Sequence, residues 1–151
     1  KPVGDASRKV VGVEVSDQAI ESATRTAQDL GLDVEFTTAD AALFAVGGDA
    51  PDTAGDAPNT TGGDAPDTTG DASAQRPDLL IVNPPRRGLG RDLAVWIEGS
   101  GIHDVIYSSC NPTTLADDLR TMASYRITDA RLLDMFPHTA HAEVVVRLRR
   151  S

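Results

Sequence analysis

The stretch "DLLIVNPPRRGLG", residues 78–90, decides the fold class that this sequence predicts. Residues 78–82 form a near-continuous apolar run, which is typical of a central strand in a parallel sheet. Two prolines and two glycines follow, and they fix the backbone at a sharp exit from that strand. The pattern therefore predicts a buried strand whose carboxyl end carries a rigid loop.

Strands alternate with helices on both sides of this stretch. The predicted strands are 9–15, 33–38, 78–82, 104–109, 125–136 and 142–149, and the predicted helices are 17–30, 91–99 and 112–123. This alternation predicts an α/β fold with a doubly wound, mostly parallel sheet. Because the last two strands have no helix between them, one of them is expected to be antiparallel.

Composition limits the protein classes to which the chain can belong. Its 151 residues, 40% of them hydrophobic, suit a single domain with a buried core. One cysteine excludes a disulfide framework and an all-cysteine metal site, and we expect no metal. The formal net charge of −9 argues against a simple basic nucleic-acid binder. With no apolar run of membrane-spanning length and no leader pattern, the expected compartment is the cytoplasm.

The acidity is concentrated in one segment. Residues 46–75 contain six aspartates and no Lys, Arg or Glu, and they repeat a Gly-Asp-Ala unit. Large apolar side chains are almost absent there, so burial cannot offset the ordering entropy of the segment. We predict a disordered acidic insert at 46–76 within one partial domain over 1–151. A calcium-binding repeat is not expected, because the spacing of known calcium solenoids is missing.

Three polar residues follow or end predicted strands, where open α/β sheets bind ligands. Glu14 is placed to accept hydrogen bonds from both hydroxyls of a ribose, or it flanks the N-terminus of the next helix. Asp40 is placed to reach an adenine amine, or it caps a helix. Asn83 can donate to and accept from a cofactor or a planar base. An Asn-Pro-Pro turn directly after a buried strand favours that function over a plain loop.

Cys110, in "YSSCNPTTL", is either a small buried hydrophobe or a nucleophile. Most cysteines are buried and inert. This one, however, follows a predicted strand at the same edge as Glu14 and Asn83. A helix begins near Pro112, and its positive end favours a thiolate close by. The convergence of these groups favours the nucleophile.

Four motifs carry a resemblance to a known family. The stretches "GVEVSDQAIESA", "DLLIVNPPRRGLG", "IYSSCNPTTLADDL" and "DMFPHTAHAEVV" occur here in the order found in bacterial RNA uracil-C5 methyltransferases. The sequence resembles most closely the type that acts on 23S ribosomal RNA, which has Asn-Pro-Pro where relatives have Asp-Pro. The resemblance covers nearly all of the chain except the insert.

The resemblance implies the S-adenosylmethionine-dependent methyltransferase version of the doubly wound sheet, with RNA as substrate. It implies that Glu14 and Asn83 contact S-adenosylmethionine, that Cys110 is the nucleophile, and that Glu143 is the general base. Glu143 taken alone could be a strand carboxylate facing water, but the motif favours the base. The nearby His138 and His141 are interpreted as structural. The expected protein is monomeric.

The sequence departs from the family at its start. The family's first strand and Gly-rich cofactor loop are absent, and so is the N-terminal region. In the family that region holds an RNA-binding barrel and, in some members, a cysteine-bound iron–sulfur cluster. We therefore expect a C-terminal catalytic fragment, inactive by itself, that binds S-adenosylmethionine weakly or not at all. Arg86, Arg87 and Arg91 remain as candidates to meet RNA phosphates.

Three alternatives stay open at this stage. The RNA target could be a transfer RNA. An amino-group methyltransferase also uses an Asn-Pro-Pro turn, but it places an aromatic residue after the prolines, where this chain has Arg86, and it needs no cysteine. A non-catalytic remnant that binds RNA or a protein partner is the third alternative, and the missing Gly-rich loop supports it.

Overall fold

The computed structural model describes residues 8–45, 77–135 and 142–151. The predicted insert at 46–76, and with it His138 and His141, lies outside the described residues. The elements are β1 (Val11–Glu14), α1 (Asp17–Asp29), β2 (Glu35–Thr38), α2 (Ala41–Ala45), β3 (Leu79–Val82), α3 (Arg91–Ser100), β4 (Asp104–Ser109), α4 (Pro112–Thr121), β5 (Tyr125–Leu133) and β6 (Glu143–Arg150).

The chain divides into two compact units, and β1, α1, β2 and α2 form the first of them. Strands β1 and β2 pair in parallel, from Val11 opposite Glu35 to Glu14 opposite Thr38. Helix α1 connects them and begins at Ser16, whose hydroxyl accepts a hydrogen bond from the backbone N–H of Ala19. Gly31 follows the helix with a positive φ of 63°, which glycine adopts without steric cost. The predicted strand–helix–strand order is confirmed here.

The second unit contains a four-stranded sheet in the order β3-β4-β6-β5. Strands β3 and β4 are parallel, while β6 runs antiparallel to both β4 and β5. The expectation that one of the last two strands is antiparallel is therefore confirmed. A register irregularity between Ile127 and Asp129 interrupts the pairing of β5 with β6.

The core of this unit lies between one face of the sheet and helices α3 and α4. Strand residues alternate in direction, so every second residue of β4 and β6 enters this core. Its buried members are Ala94, Ile97, Ile102, Val105, Tyr107, Leu115, Met122, Tyr125, Val146 and Leu148. At about 25 cal/mol per Å² of apolar surface removed from water, this cluster is the main stabilising feature of the unit.

Strand β3 differs from its prediction. It forms one edge of the four-stranded sheet, and Leu79 and Ile81 on one of its faces are 44% and 62% exposed. Only the alternate residues Leu80 and Val82 pack against the core. The prediction of a central strand is therefore wrong for the described residues, because an apolar run does not specify which strands flank it. No helix in the described part of the chain is long and apolar enough to cross a membrane.

Candidate functional site

Three of the predicted site residues lie at the same end of the strands in the four-stranded sheet, where β3 and β4 end and β6 begins. Strands β3 and β4 end together, with Val82 opposite Tyr107, and Asn83 is the next residue after this pair. The last pair between β4 and β6 joins Ser109 to Val144. Cys110 follows the first of these residues and Glu143 precedes the second. The antiparallel register thus places Cys110 beside Glu143, at the edge where Asn83 leaves β3.

The backbone around Cys110 is fixed by local hydrogen bonds. Ser109 is 2% exposed, and its hydroxyl accepts from the backbone N–H of Asn111 at 3.1 Å. Asn111 caps α4, because its side-chain oxygen accepts from the backbone N–H of Thr113 at 3.1 Å. Cys110 is a free, partly exposed thiol between these two anchored residues. Cys110 thus lies directly before the N-cap residue of helix α4.

The Glu143 carboxylate is held by a neighbour on β4. The Ser108 hydroxyl donates to Glu143 Oε1 at 2.5 Å. Ser108 pairs with Val145, so Glu143 is its diagonal neighbour on the same face of the sheet. Short O–H···O contacts of this kind are typical of a carboxylate that accepts from a hydroxyl. One oxygen of Glu143 is therefore fixed by Ser108, and this contact sets the direction of the carboxylate.

The Asn-Pro-Pro loop, residues 83–90, is fastened to helix α4 at two places. The carbonyl oxygen of Arg86 accepts from Asn111 Nδ2 at 3.0 Å and from the Thr114 hydroxyl at 3.2 Å. Three residues later, the backbone N–H of Leu89 donates to Asp118 Oδ2 at 2.8 Å. The loop that carries Asn83 is thus joined to the helix that begins after Cys110.

Asp118 also accepts a hydrogen bond from the core. The hydroxyl of Tyr107 donates to the same oxygen, Asp118 Oδ2, at 2.6 Å. Burial, followed by this contact with the Asp118 carboxylate, raises the pKa of Tyr107 well above its usual value. Tyr107 therefore stays protonated and remains a hydrogen-bond donor throughout the physiological range.

Glu14 and Asp40 lie in the first unit, at the carboxyl ends of β1 and β2. Glu14 Oε1 accepts from the backbone N–H groups of Val15 at 2.8 Å and Ser16 at 3.1 Å. Asp40 Oδ1 accepts from the backbone N–H groups of Ala42 at 2.8 Å and Leu43 at 3.2 Å. Asp40 thus caps α2, which is the alternative considered for it from the sequence.

The carboxylates of Glu14 and Asp40 are acceptors that suit donors such as hydroxyl and amine groups. Glu14 and Asp40 are exposed, and each accepts its backbone hydrogen bonds through a single oxygen. Asn83, in the second unit, is exposed as well. The second oxygen of Glu14 is available to a ribose hydroxyl, and that of Asp40 to an adenine amine. The described residues contain no group of three or more His, Cys, Asp or Glu placed to hold a metal ion.

The sequence did not identify the residues that organise the site. Ser108, Asn111, Thr114 and Asp118 each bind a loop or a predicted site residue. A signal was present for three of them, because positions 111, 114 and 118 are spaced to share one face of a helix. For Ser108 the signal depends on the register between β4 and β6, which the sequence does not state.

The sequence of this chain is similar to those of known RNA methyltransferases. Residues 73–151 match the family described as tRNA (Uracil-5-)-methyltransferase. The chain belongs to this family. A member from Vibrio vulnificus strain CMCP6, 23S rRNA (uracil(747)-C(5))-methyltransferase RlmC, is 39% identical over 146 residues, which are 96% of this chain and 32% of that protein. The RlmC protein of Glaesserella parasuis serovar 5 strain SH0165 is 44% identical over 92% of this chain and 30% of its own length. The chain therefore spans about a third of these uracil-5 methyltransferases.

A solved structure of the same kind confirms the fold. The tRNA (uracil-54, C5)-methyltransferase of Pyrococcus abyssi, in complex with S-adenosyl-L-homocysteine, matches with a TM-score of 0.67 and 31% identity. The match covers 93% of this chain and 28% of that protein. The chain has the class I S-adenosylmethionine-dependent methyltransferase fold, as the resemblance implied. The roles of the individual site residues stay predictions.

Proposed function

We propose that this protein methylates carbon 5 of a uridine in RNA with S-adenosylmethionine, through a covalent adduct between Cys110 and the uracil. The observation that carries this proposal is the placement of a free cysteine beside Glu143 at the carboxyl edge of the sheet. The similarity to RlmC supports 23S ribosomal RNA as the substrate. The similarity to a tRNA enzyme makes transfer RNA the second candidate.

Cys110 overcomes the low nucleophilicity of carbon 5. Its thiolate adds to carbon 6 of the uracil, and the electron pair of the 5,6 double bond moves into an enolate. Carbon 5 then becomes the nucleophile for the methyl group. S-adenosylmethionine supplies that methyl group as an electrophilic carbon on a sulfonium. The local anchors at Ser109 and Asn111 hold Cys110 at the site while the base approaches.

Glu143 completes the reaction by proton removal. After methyl transfer, carbon 5 carries both the new methyl group and its original proton. Glu143 accepts that proton, the 5,6 double bond forms again, and the carbon–sulfur bond breaks to release the Cys110 thiolate. Ser108 holds Oε1, so the other oxygen of Glu143 is the one assigned to the proton.

The remaining predicted residues bind the two substrates. We assign Glu14, Asp40 and Asn83 to S-adenosylmethionine. Three exposed cations are suited to RNA phosphates. They are Arg86 and Arg87 in the loop after Asn83, and the nearby Arg91. We further propose that the protein acts as a cytoplasmic monomer and that residues 1–151 form part of one catalytic domain.

Trapping with modified RNA tests the proposal. RNA that carries 5-fluorouracil at the target position should form a complex with the full-length protein that survives denaturation, because fluorine does not leave as a proton does. Cys110→Ala should give no complex and no methylation. Glu143→Gln should transfer the methyl group and then accumulate the adduct with natural RNA. Fragments of 23S ribosomal RNA and transfer RNA, tested in parallel, identify the substrate.

Methylation by Cys110→Ala at the wild-type rate would reject the covalent mechanism and favour an amino-group methyltransferase. That alternative has weak support, because Arg86 follows the prolines where a base-stacking aromatic residue is expected. RNA binding without methylation by the wild-type protein would instead indicate a non-catalytic remnant.

A further inference from the structure

We propose that Asp118 is a positioning residue, which fixes the Asn-Pro-Pro loop, residues 83–90, relative to Cys110. This inference rests on the proposed function, because Asn83 in that loop is assigned to the cofactor and Cys110 to the uracil. Methyl transfer requires the two substrates to meet in one geometry, and a small misplacement is costly. Asp118 itself touches neither reacting group.

The first support is the convergence of two donors on one atom. Asp118 Oδ2 accepts from the backbone N–H of Leu89 at 2.8 Å and from the hydroxyl of Tyr107 at 2.6 Å. Leu89 belongs to the loop, whereas Tyr107 is a fully buried residue of β4. The carboxylate thus joins the loop to β4, the strand that ends directly before Cys110. Hydrogen bonds to a charged acceptor are about twice as strong as neutral ones.

A second pair of hydrogen bonds joins the loop to the same helix. Asn111 and Thr114 both donate to the carbonyl oxygen of Arg86, three residues before Leu89. These two residues and Asp118 recur at a spacing of three to four along α4, so they share one face of the helix. The loop is therefore held at both a carbonyl and an amide, which fixes its position and its orientation.

The third support is the close approach of Gly88, in the loop, to the Asp118 carboxylate. Gly88 has a φ of +83°, and a Cβ built there would lie 2.5 Å from Asp118 Oδ2. The close approach of backbone to carboxylate therefore requires glycine at this position. Within the described residues, no Lys or Arg forms an ion pair with Asp118. Its hydrogen bonds to Leu89 and Tyr107 are what compensate the partial burial of its charge.

Four variants of the full-length protein separate positioning from stability. Asp118→Asn retains an oxygen that can accept both hydrogen bonds. Its affinity for S-adenosylhomocysteine and its methylation rate should therefore lie within about threefold of wild type. Asp118→Ala frees Leu89 and leaves the buried Tyr107 hydroxyl without a partner. Tyr107→Phe removes only the core contact. The double variant Tyr107→Phe/Asp118→Ala removes the orphaned hydroxyl but leaves the loop free.

Amide exchange, cofactor affinity, methylation kinetics and melting temperature are measured for each variant. Hydrogen exchange of the Leu89 amide reports directly on the fastening, and it should accelerate at least tenfold in both variants that lack Asp118. Calorimetric titration with S-adenosylhomocysteine, together with KM and kcat for methylation, reports the consequence. In Asp118→Ala we expect affinity for S-adenosylhomocysteine to fall about tenfold. The double variant should regain most of the lost melting temperature but not the lost affinity.

The outcomes distinguish the inference from the proposed function. If the double variant exchanges its Leu89 amide rapidly yet binds S-adenosylhomocysteine and methylates like wild type, the positioning role is overturned. Slow exchange in that variant also overturns it. If wild type shows no covalent trapping, or if Asn83→Ala binds S-adenosylhomocysteine normally, the proposed function or its cofactor contact fails instead. The exchange measurement then still decides whether Asp118 holds the loop.

Discussion

The carboxylates of Glu14 and Asp40 in the first unit are held by local contacts, whereas Glu143 and the Asn-Pro-Pro loop of the second unit are held by remote ones. Glu14 and Asp40 accept hydrogen bonds from backbone amides one to three positions ahead of them in the chain. In the second unit, Arg86 in the loop and Glu143 in β6 are bound by side chains 25 to 35 residues away. The positions of the Glu14 and Asp40 carboxylates are therefore fixed as soon as the local turn from strand to helix has formed. The second arrangement requires the sheet to be assembled.

This difference predicts how far a substitution spreads. A change to a local contact should affect one turn and leave the rest of the unit intact. A change to a remote contact should move a loop and alter activity together with stability, because residues that share partners couple energetically. Four sets of variants test the comparison, in order of decreasing expected effect.

Gly88→Ala should give the largest loss. Its φ of +83° is unfavourable for alanine, and the new Cβ would meet Asp118 Oδ2 at 2.5 Å. Left-handed strain costs about 1–2 kcal/mol, and disturbing the contacts of Asp118 adds about 1–3 kcal/mol. We expect the free energy of unfolding to fall by about 3 kcal/mol in urea denaturation, with loss of methylation.

Gly31→Ala is the matched control for Gly88→Ala. Gly31 has a φ of +63°, but a Cβ built there meets no atom within 4 Å. The free energy of unfolding of Gly31→Ala should therefore fall only by the cost of the backbone strain, about 1 kcal/mol, with methylation unchanged. Equal losses at Gly31 and Gly88 would contradict the importance of the close contact with Asp118.

Ser108→Val and Ser108→Thr form the next comparison. Both residues are β-branched and suit a strand, but only threonine retains the hydroxyl that donates to Glu143 Oε1. We expect Ser108→Val to slow release of the Cys110–uracil adduct about tenfold while methyl transfer itself changes little, because a hydrogen bond to a charged group is worth about 1.5–3 kcal/mol. Ser108→Thr should resemble wild type.

Single-turnover assays that follow methyl transfer and the denaturation-resistant adduct separately measure this effect. Thr128→Ala is a control, because it removes a hydroxyl that donates to the carbonyl of Arg147 elsewhere in the same sheet. Misfolding would lower the amplitude of both steps equally. An adduct that resolves equally fast in Ser108→Val and Ser108→Thr would show that the hydroxyl does not direct Glu143.

The sequence predicted the parts of the fold that depend on local patterns. Helix α1 was predicted at 17–30 and is found at Asp17–Asp29, because apolar spacing and a terminal glycine define both ends. The alternation of strands and helices was sufficient for the fold class. The position of β3 was not predictable, because whether an apolar strand is central or at an edge depends on its neighbours in space.

The same limit applies to the site. Chemical type and position at a strand end selected Asn83 and Cys110, whereas Glu143 was selected by the resemblance to a family. The structure brings these three to one edge. The contacts of Ser108 and Asp118 depend on strand register and on the rotation of α4, which arise only from packing. Sequence reasoning therefore found the residues proposed to react and missed those that hold them.

Asp40→Ala should have a smaller and strictly local effect. The Asp40 carboxylate accepts from the backbone N–H groups of Ala42 and Leu43, so its removal leaves the start of α2 without a cap. Loss of an N-cap typically costs about 1 kcal/mol, and Asp40→Asn should cost little because asparagine caps equally well. Urea denaturation measures this difference. Titration with S-adenosylhomocysteine shows separately whether Asp40 also contacts the cofactor, since asparagine would then weaken affinity without destabilising the protein.

The smallest expected effect concerns Asp104, which combines a local and a remote contact. Asp104 Oδ2 lies 2.9 Å from His103 Nδ1, while Oδ1 accepts from Arg147 Nη2 at 2.8 Å and from Arg149 Nη2 at 3.3 Å. The hydrogen bond with His103, followed by that with Arg147, lowers the pKa of Asp104 from 3.8 to about 2.

Because the pKa of Asp104 is lower in the folded than in the unfolded protein, its contribution is fully present above about pH 4. That contribution is lost as the pH falls from about 4 through about 2, where the folded carboxylate takes up a proton. The stability of wild type should therefore decline more steeply over this interval than that of Asp104→Asn, and added salt should reduce the difference.

Urea midpoints between pH 2 and pH 5 measure this difference in stability. Asp129→Asn, which removes an exposed pairing with Arg131 at 3.8 Å, is the control and should retain the steep wild-type decline. If Asp104→Asn declines as steeply as wild type, the ion pairs at the start of β4 contribute nothing to acid stability, and remote contacts matter only where they hold the site.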